Sequence, residues 1–451
     1  MNRILLVFLL SLSCAGCATS ENLLISAPSS LPGVECAMKR PGFWISRHPS
    51  PDKVVLDSRQ IGEFNLRLQN TLKLTEDLKK FALPIAGDKF SSSQSAVLGK
   101  LKLEGLYRAN CEKAQGSFYG PIEHNINLIA VPDEIRPRFG FIVSFANQRI
   151  LPTNDGLYGK PNDIDFDELQ NSGLDIGTPV AVLYNSLDNK WCYVQSPLSA
   201  GWVEAGRIAF CELKEIEALS REHKPAVVID AKADIYLDPD LREYYGYVRM
   251  GTALPLNENI NSRISEVIVP MREESGTAAF KKCYVRKESV NEGYLPYTAC
   301  NIIRQAFELL NEPYGWGDMR GEQDCSSFVQ RVFATTGICL PRNSAAQLKS
   351  GLLIAEFDKS VCDKEKMKIL KGKAIGGLTL LYLKGHIMLF LGMADDMPYA
   401  IHATWAYREN IAGHDTVRLV NRVAVTDLSL GKGSGKGSLL ERLAGITIVS
   451  D

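Results

Sequence analysis

Near the C-terminal end, Asp324-Cys325-Ser326-Ser327-Phe328 is followed by two strand-like runs that each carry a histidine, Gly385-His386-Ile387-Met388-Leu389-Phe390 and Ile401-His402-Ala403-Thr404. This feature constrains the fold most, because a helix start and two consecutive strands must share one site. Phe328, Val329, Val332 and Phe333 recur at helical spacing and Gly337 reads as the stop. Asp324 stands at the N-cap position, which puts Cys325 in the first turn. The dipole and free N–H groups there favour an anion, so a thiol pKa in the roughly 3.5–7.5 range is expected rather than about 8.5. The competing reading is a buried structural cysteine opening a packed helix.

The runs 378–383, 386–393 and 399–404 read as strands, with a turn marked by Asp395, Asp396 and Pro398. A hairpin setting His386 opposite His402 would set Phe390 opposite Pro398. The second ring can then hydrogen-bond the first and fix its tautomer. A thiolate nucleophile needs a nearby base and a group that orients the base, and no other part of the chain offers that combination.

Pro313-Tyr314-Gly315-Trp316-Gly317 through Asp324-Cys325-Ser326, then Leu340-Pro341-Arg342-Asn343-Ser344 and Gln347, resembles the NlpC-like cell-wall cysteine peptidases, a branch of the papain-like superfamily. The resemblance implies Cys325 as nucleophile, His386 as base and later acid, and His402 as the orienting third member. It implies a supporting role for Tyr314 near the oxyanion. Two departures are visible, Asp318 in place of a second glycine and Ser327 where glycine is common, and both are expected to reshape the pocket entrance. The implied reaction is attack of the thiolate on an amide carbonyl, protonation of the leaving amine by His386, and hydrolysis of the thioester. Backbone N–H groups at the helix start, that of Cys325 included, would hold the oxyanion. No cofactor or metal is implied, and the mature chain has no His-Glu-x-x-His motif or Cys-x-x-Cys pair at zinc-site spacing.

At the other end, Asn2-Arg3 precedes an apolar run from Ile4 to about Leu12, the form of a signal peptide. It ends in Cys14-Ala15-Gly16-Cys17, which matches a lipoprotein cleavage box, so Cys17 is expected to be the lipidated first residue of an exported protein. Ala18 resembles the outer-membrane signal of double-membrane bacteria; ordinary cleavage and secretion is the alternative. The net charge of −1 argues against nucleic acid as partner. Of eleven cysteines, eight remain after Cys14, Cys17 and Cys325; a guessed pairing is Cys36/Cys111, Cys192/Cys211, Cys283/Cys300 and Cys339/Cys362, and free thiols, as in an anaerobe, are equally compatible.

Between the ends, residues 20–35 are Ser/Pro-rich and read as a tether, and helical spacing from Asp57 to Gly105 suggests a helical N-terminal module. Residues 137–215 alternate in a β manner with turns at Asn154-Asp155-Gly156 and Leu187-Asp188-Asn189, which suggests a small barrel. Arg149-Ile150-Leu151-Pro152-Thr153, Phe166-Asp167-Glu168-Leu169-Gln170 and the tryptophans Trp191 and Trp202 look like the first bacterial SH3-like domain of one NlpC-like subfamily, and Val227 to Val285 fits a second. The expected fold is multidomain α+β: signal peptide 1–16, tether and helical N-terminal module 17–136, two small SH3-like β-barrels at 137–215 and 216–290, and a papain-like α+β peptidase domain at 291–451.

That subfamily resembles γ-D-glutamyl-L-diamino-acid endopeptidases, which implies peptidoglycan stem peptides with a free N-terminal L-alanine as substrate. The first SH3-like domain would wall the cleft. Asp324 and Ser326 are the implied substrate-binding residues, with Asp324 facing the alanine ammonium, and Asp167 and Tyr193 are weaker candidates. Gly431-Lys432-Gly433-Ser434-Gly435-Lys436-Gly437-Ser438 has the composition of a phosphate loop but not its spacing, and reads as a flexible loop. Two other functions stay open: a lipid-anchored module that only binds wall peptides, and acyl or amide transfer through the same thioester.

Overall fold

The computed structural model describes residues 24–450. The expected signal peptide and the lipidation site Cys17 therefore lie outside the described residues.

Three seven-stranded sheets organise the chain. The first β unit spans strands from Arg138–Ile142 to Ile208–Cys211, and its alternating residues (Ile142, Val180, Val182, Val194, Val203, Ile208) fill one interior. The helix Leu213–Glu222 leads to the second β unit, whose strands run from Pro225–Val228 to Val290–Glu292 around Val248, Leu254, Val267 and Val285.

The third sheet belongs to the C-terminal domain. Its central strands are Thr379–Leu383, His386–Ala394, Met397–Ile411 and His414–Asp427. The helix Cys325–Ala334 buries Phe328, Val329, Val332 and Phe333 in the same core as the central strands' Ile387, Leu389, Ile401 and Ala403. Asp395 and Asp396 both have positive φ (46° and 64°), the geometry of a tight hairpin turn matched to strand twist. Pro398 is thus not in the turn but paired with Met393.

The hairpin register differs from expectation. Leu389 pairs with Ile401 and Phe390 with Ala400, and an irregularity follows before Gly392. His386 and His402 share a face as diagonal neighbours, not as a directly opposed pair.

The N-terminal segments do not form a module with a core of their own. Met38, Trp44, Phe64 and Leu68 enter the core of the C-terminal domain. Phe90, Leu98, Phe118 and Ile122, from the helices Gly87–Glu104 and Gly116–Ile126, pack instead with Trp191 and Trp202 of the first β unit. The supposed tether is docked as well. Leu24–Ser26 pairs in parallel with Val417, Arg418 and Leu419, extending the C-terminal sheet, and Tyr399 donates to the Gly33 carbonyl at 2.7 Å.

The guessed disulfides do not form: all nine described cysteines are free. Cys192 and Cys211 lie on strands with two others between them, and Cys283 sits in the core of the second β unit while Cys300 is buried on the helix Ala299–Glu308.

A buried ionic cluster holds the three parts together. Arg249 of the second β unit binds Asp175 of the first, through Nε at 2.9 Å and Nη2 at 2.9 Å. Asp318 of the C-terminal domain stands 3.7 Å from Arg249, 3.7 Å from Arg331 and 3.5 Å from Arg342. It also accepts from the Gly173 N–H at 3.2 Å. Asp318 and Ser327 were expected at the pocket entrance, but both are buried, Asp318 in this junction and Ser327 in the helix cap.

Candidate active site

The segment before the nucleophile helix is built from left-handed residues. Gly317, Asp318 and Arg320 have φ of 57°, 65° and 62°, which folds the chain tightly back towards Asp324. Asp324 caps the helix: Oδ1 accepts from Ser326 N at 3.0 Å, Ser327 N at 2.9 Å and Ser326 Oγ at 2.9 Å. Its own N–H donates to Ser327 Oγ at 3.0 Å, completing a reciprocal cap. The cap takes the second and third N–H groups. That leaves the N–H of Cys325, the first helical residue, without an intrahelical acceptor. The oxyanion contribution expected from several helix N–H groups is thereby reduced to the one on Cys325.

Asp324 has a second partner, Arg342, whose Nη2 donates to Oδ2 at 2.7 Å and Nη1 to Oδ1 at 3.1 Å. Gly317 N adds another donor at 3.2 Å. Six donors thus converge on a carboxylate with about four lone-pair sites. Ser326 Oγ is likewise engaged, giving to Asp324 and receiving from Arg342 Nη1 at 2.9 Å. Both residues position the helix start. Arg342, which sequence reasoning assigned no role, is the residue that locks them.

Cys325 is buried, with the Ile387 backbone N–H directed at its sulfur. Burial first, and the Asp324 charge second, push the thiol up to about 12. This reverses the expectation of an activated thiolate. A helix start favours an anion only where water or free donors solvate it, and here the cap carboxylate occupies the donors and contributes a negative charge.

His386 and His402 are joined by a 2.7 Å contact from Nε2 of the first to Nδ1 of the second. His402 Nε2 in turn meets Thr426 Oγ1 at 3.0 Å. Two tautomer sets fit these contacts, and the one that can accept a proton from a thiol has His386 Nε2–H donating to His402 Nδ1 and His402 Nε2–H donating to Thr426. That leaves the His386 Nδ1 lone pair as the basic atom. Burial lowers His386 to about 4, with Arg442 adding to the effect, and burial with the neighbouring His386 holds His402 far below the usual imidazole range. Thiol up and imidazoles down share one sense, so the resting site is uncharged. Thr426 was missed because a threonine in a strand is an ordinary β residue.

A cleft of about 310 Å³ opens against these groups, lined by Tyr314, Trp316, His386, His402, Trp405 and Phe166 among others. Tyr314 is partly buried, and burial together with the Cys325 and Asp324 charges raises its phenol, so it stays a proton donor. Phe166 comes from the first β unit and packs against Trp405 at 5.0 Å and Trp316 at 5.3 Å between ring centroids. Trp405 Nε1 donates to Asp165 Oδ2 at 3.0 Å, fastening the two domains along this wall. The weaker candidates are structural. Asp167 binds Arg149 at 2.6 Å and accepts from Leu157 N and Leu169 N, and Tyr193 packs with Phe90 and Trp202. Among the described residues, no group of three or more His, Cys, Asp or Glu is arranged to hold a metal ion.

Residues 311–410 match the model of the NlpC/P60 family, and residues 157–204 that of the SH3 domain of SH3b1 type. Comparison with curated proteins gives no match. Among solved structures, one described as a novel NlpC/P60 endopeptidase from Photobacterium damselae subsp. piscicida is 21% identical, covers 95% of this chain and 99% of its own, and superposes with a TM-score of 0.76. An NlpC/P60 family protein from Bacillus cereus is 16% identical, covers 69% of this chain and 100% of its own, and gives a TM-score of 0.50. At such identities the likeness is one of fold. Together with the matched segments it is consistent with the site's position: the chain carries an NlpC/P60 family domain preceded by an SH3 domain of the SH3b1 type.

Proposed function

We propose that this chain is a cysteine endopeptidase hydrolysing the γ-D-glutamyl-diamino acid amide bond of peptidoglycan stem peptides. The match of residues 311–410 to the NlpC/P60 family supports the coarse class, cysteine peptidases acting on peptidoglycan. The observation that carries the reading is the chain of contacts His386–His402–Thr426, which in one of its two tautomer sets frees His386 Nδ1 as a base on the strand whose next residue, Ile387, faces the Cys325 sulfur.

The mechanism starts from the uncharged pair. His386 Nδ1 takes the thiol proton as sulfur attacks the amide carbon, so charge develops only in the transition state. The Cys325 N–H and the Tyr314 phenol are the donors on hand for the oxyanion. The imidazolium then gives its proton to the leaving amine, and water, activated by the same nitrogen, cleaves the thioester.

The wall formed by Phe166, Trp316 and Trp405 supports a short, soluble stem peptide rather than a bulky cross-linked strand. The preference for a free alanine amine stays part of this reading, with Asp324, already paired with Arg342, as the acid nearest the thiol. Export as a lipoprotein through Cys17 belongs to the same proposal, because peptidoglycan lies outside the cytoplasmic membrane. The test is mass spectrometry of products from L-Ala-γ-D-Glu-diaminopimelate. Wild type should release the diamino acid and Cys325→Ala should not; wild-type-like turnover in that variant would reject the proposal.

A further inference from the structure

The charged residues lining the cleft are all basic. Lys384, Arg408, Lys436 and Arg442 line it, and no aspartate or glutamate does. Arg408 is neutralised by Asp415 at 2.6 Å. Among the described residues the exposed Lys384 has no side-chain hydrogen bond or ion pair, and neither have Lys436 and Arg442. Arg442 is partly buried, and these two cations act on each other and on the ring of His386. Two unpaired cations brought together beside a neutral imidazole destabilise the empty site, and an anion placed between them would relieve that.

Their position is set by the segment first read as a flexible loop. It is a series of turns, with Ser434 N donating to Gly431 O at 3.1 Å and Gly437 N to Ser434 O at 3.1 Å. Asp415 Oδ1 accepts from Gly435 N at 3.0 Å, and Glu441 Oε2 accepts from Ser438 N at 2.8 Å. The nearby carboxylates Asp415 and Glu441 are thus spent on backbone groups and Arg408, and Lys436 and Arg442 are left facing the cleft.

We propose that Lys436 and Arg442 form a carboxylate-binding subsite for the leaving-group half of the substrate. The assignment to that half rests on the peptidase reading, in which His386 delivers the proton to the departing amine and so marks its side of the cleft. The ligand is a diamino acid residue with at least one free carboxylate. Its amidated form would lose the charge-assisted contacts.

Binding to a chain that cannot cleave separates this subsite from catalysis. Calorimetry on full-length Cys325→Ala would compare L-Ala-γ-D-Glu-meso-diaminopimelate with the same tripeptide carrying diaminopimelate amides. The expected result is affinity for the free acid about tenfold higher, the size of one good charge-assisted contact. Adding Lys436→Gln and Arg442→Gln should bring the two ligands to equal affinity. Equal affinity in the parent, no measurable binding, or a preference that survives the double substitution would overturn the subsite. Should the preference hold while wild type fails to hydrolyse the free acid, the peptidase reading falls and the anion site stands.

Discussion

Arg249 holds Asp175 by two charge-assisted hydrogen bonds of 2.9 Å, although the residues belong to different β units, and it also faces Asp318 of a third domain. The nucleophile helix rests on this junction through Arg331, 3.5 Å from Asp175 and 3.7 Å from Asp318. Arg342 carries it to the helix cap at Asp324. The relative placement of the SH3 wall and the thiol is therefore fixed by charges that water scarcely reaches. Buried pairs of this kind contribute little net stability when intact, but leave an uncompensated charge when one member is removed.

Asp318→Asn should make that cost visible. Asparagine tolerates the left-handed backbone at φ 65°, so the substitution removes charge without backbone strain. Arg249, Arg331 and Arg342 would then share one fewer anion, for a loss of roughly 3 kcal/mol. Urea unfolding followed by tryptophan fluorescence measures it, and an unchanged midpoint would refute the clamp. The same group sets an acid limit. Burial raises the Asp318 carboxyl, but Arg342, Arg249 and Arg331 outweigh that and hold it below its ordinary value. A depressed folded-state pKa gives stability that is present above about pH 4 and lost as pH falls through the folded value, so unfolding on acidification should come below about pH 4 and earlier in Asp318→Asn.

The helix start, the Gly337 stop and the two histidine strands were legible because each is a local pattern of period or cap. The clamp was not, since Asp175, Arg249, Asp318 and Arg342 are far apart in sequence and each alone resembles a surface charge. Nor could local pattern assign the N-terminal helices: Trp44 and Phe90 both read as core, and nothing nearby says that they enter different cores. The thiol's ionisation was misjudged for the same reason. A first-turn cysteine looks activated until burial and the commitment of Asp324 are known.

Catalysis should show a low acid limb. His386 is lowered to about 4, and its protonation removes the acceptor for the thiol proton. Below that pH, kcat/KM should fall tenfold per unit, while the buried thiol, up at about 12, places no basic limb in the neutral range. A pH–rate profile from 3.5 to 9 on the stem peptide checks this, with stability measured in parallel. An acid limb centred near 6.5, the ordinary imidazole value, would contradict it.

Thr426→Val removes the hydroxyl that receives His402 Nε2 with little change of shape. The ring of His402, 1% exposed, would keep its place but lose a tautomer constraint, so Nδ1 would no longer be held as the acceptor for His386. A loss of about tenfold in kcat with KM unchanged is expected, equivalent to one net hydrogen bond of roughly 1–1.5 kcal/mol. Thr426→Ser should restore most of it. Equal kcat in the valine and serine variants would remove Thr426 from the relay.

Phe166→Ala tests whether the SH3 domain shapes specificity. The phenyl ring is the cleft's contact with Trp405 and Trp316, and each aromatic pair is worth about 1 kcal/mol beyond the area it covers. Its loss leaves Cys325, His386 and His402 untouched but widens the entrance. KM for the soluble stem peptide should rise several-fold, on the scale of one such pair, with kcat held within about twofold. Release of soluble fragments from insoluble peptidoglycan should rise relative to stem-peptide cleavage, because the wall proposed to disfavour a cross-linked strand has been cut back. If both substrates respond alike, Phe166 is packing between domains and the selectivity must be set elsewhere in the cleft.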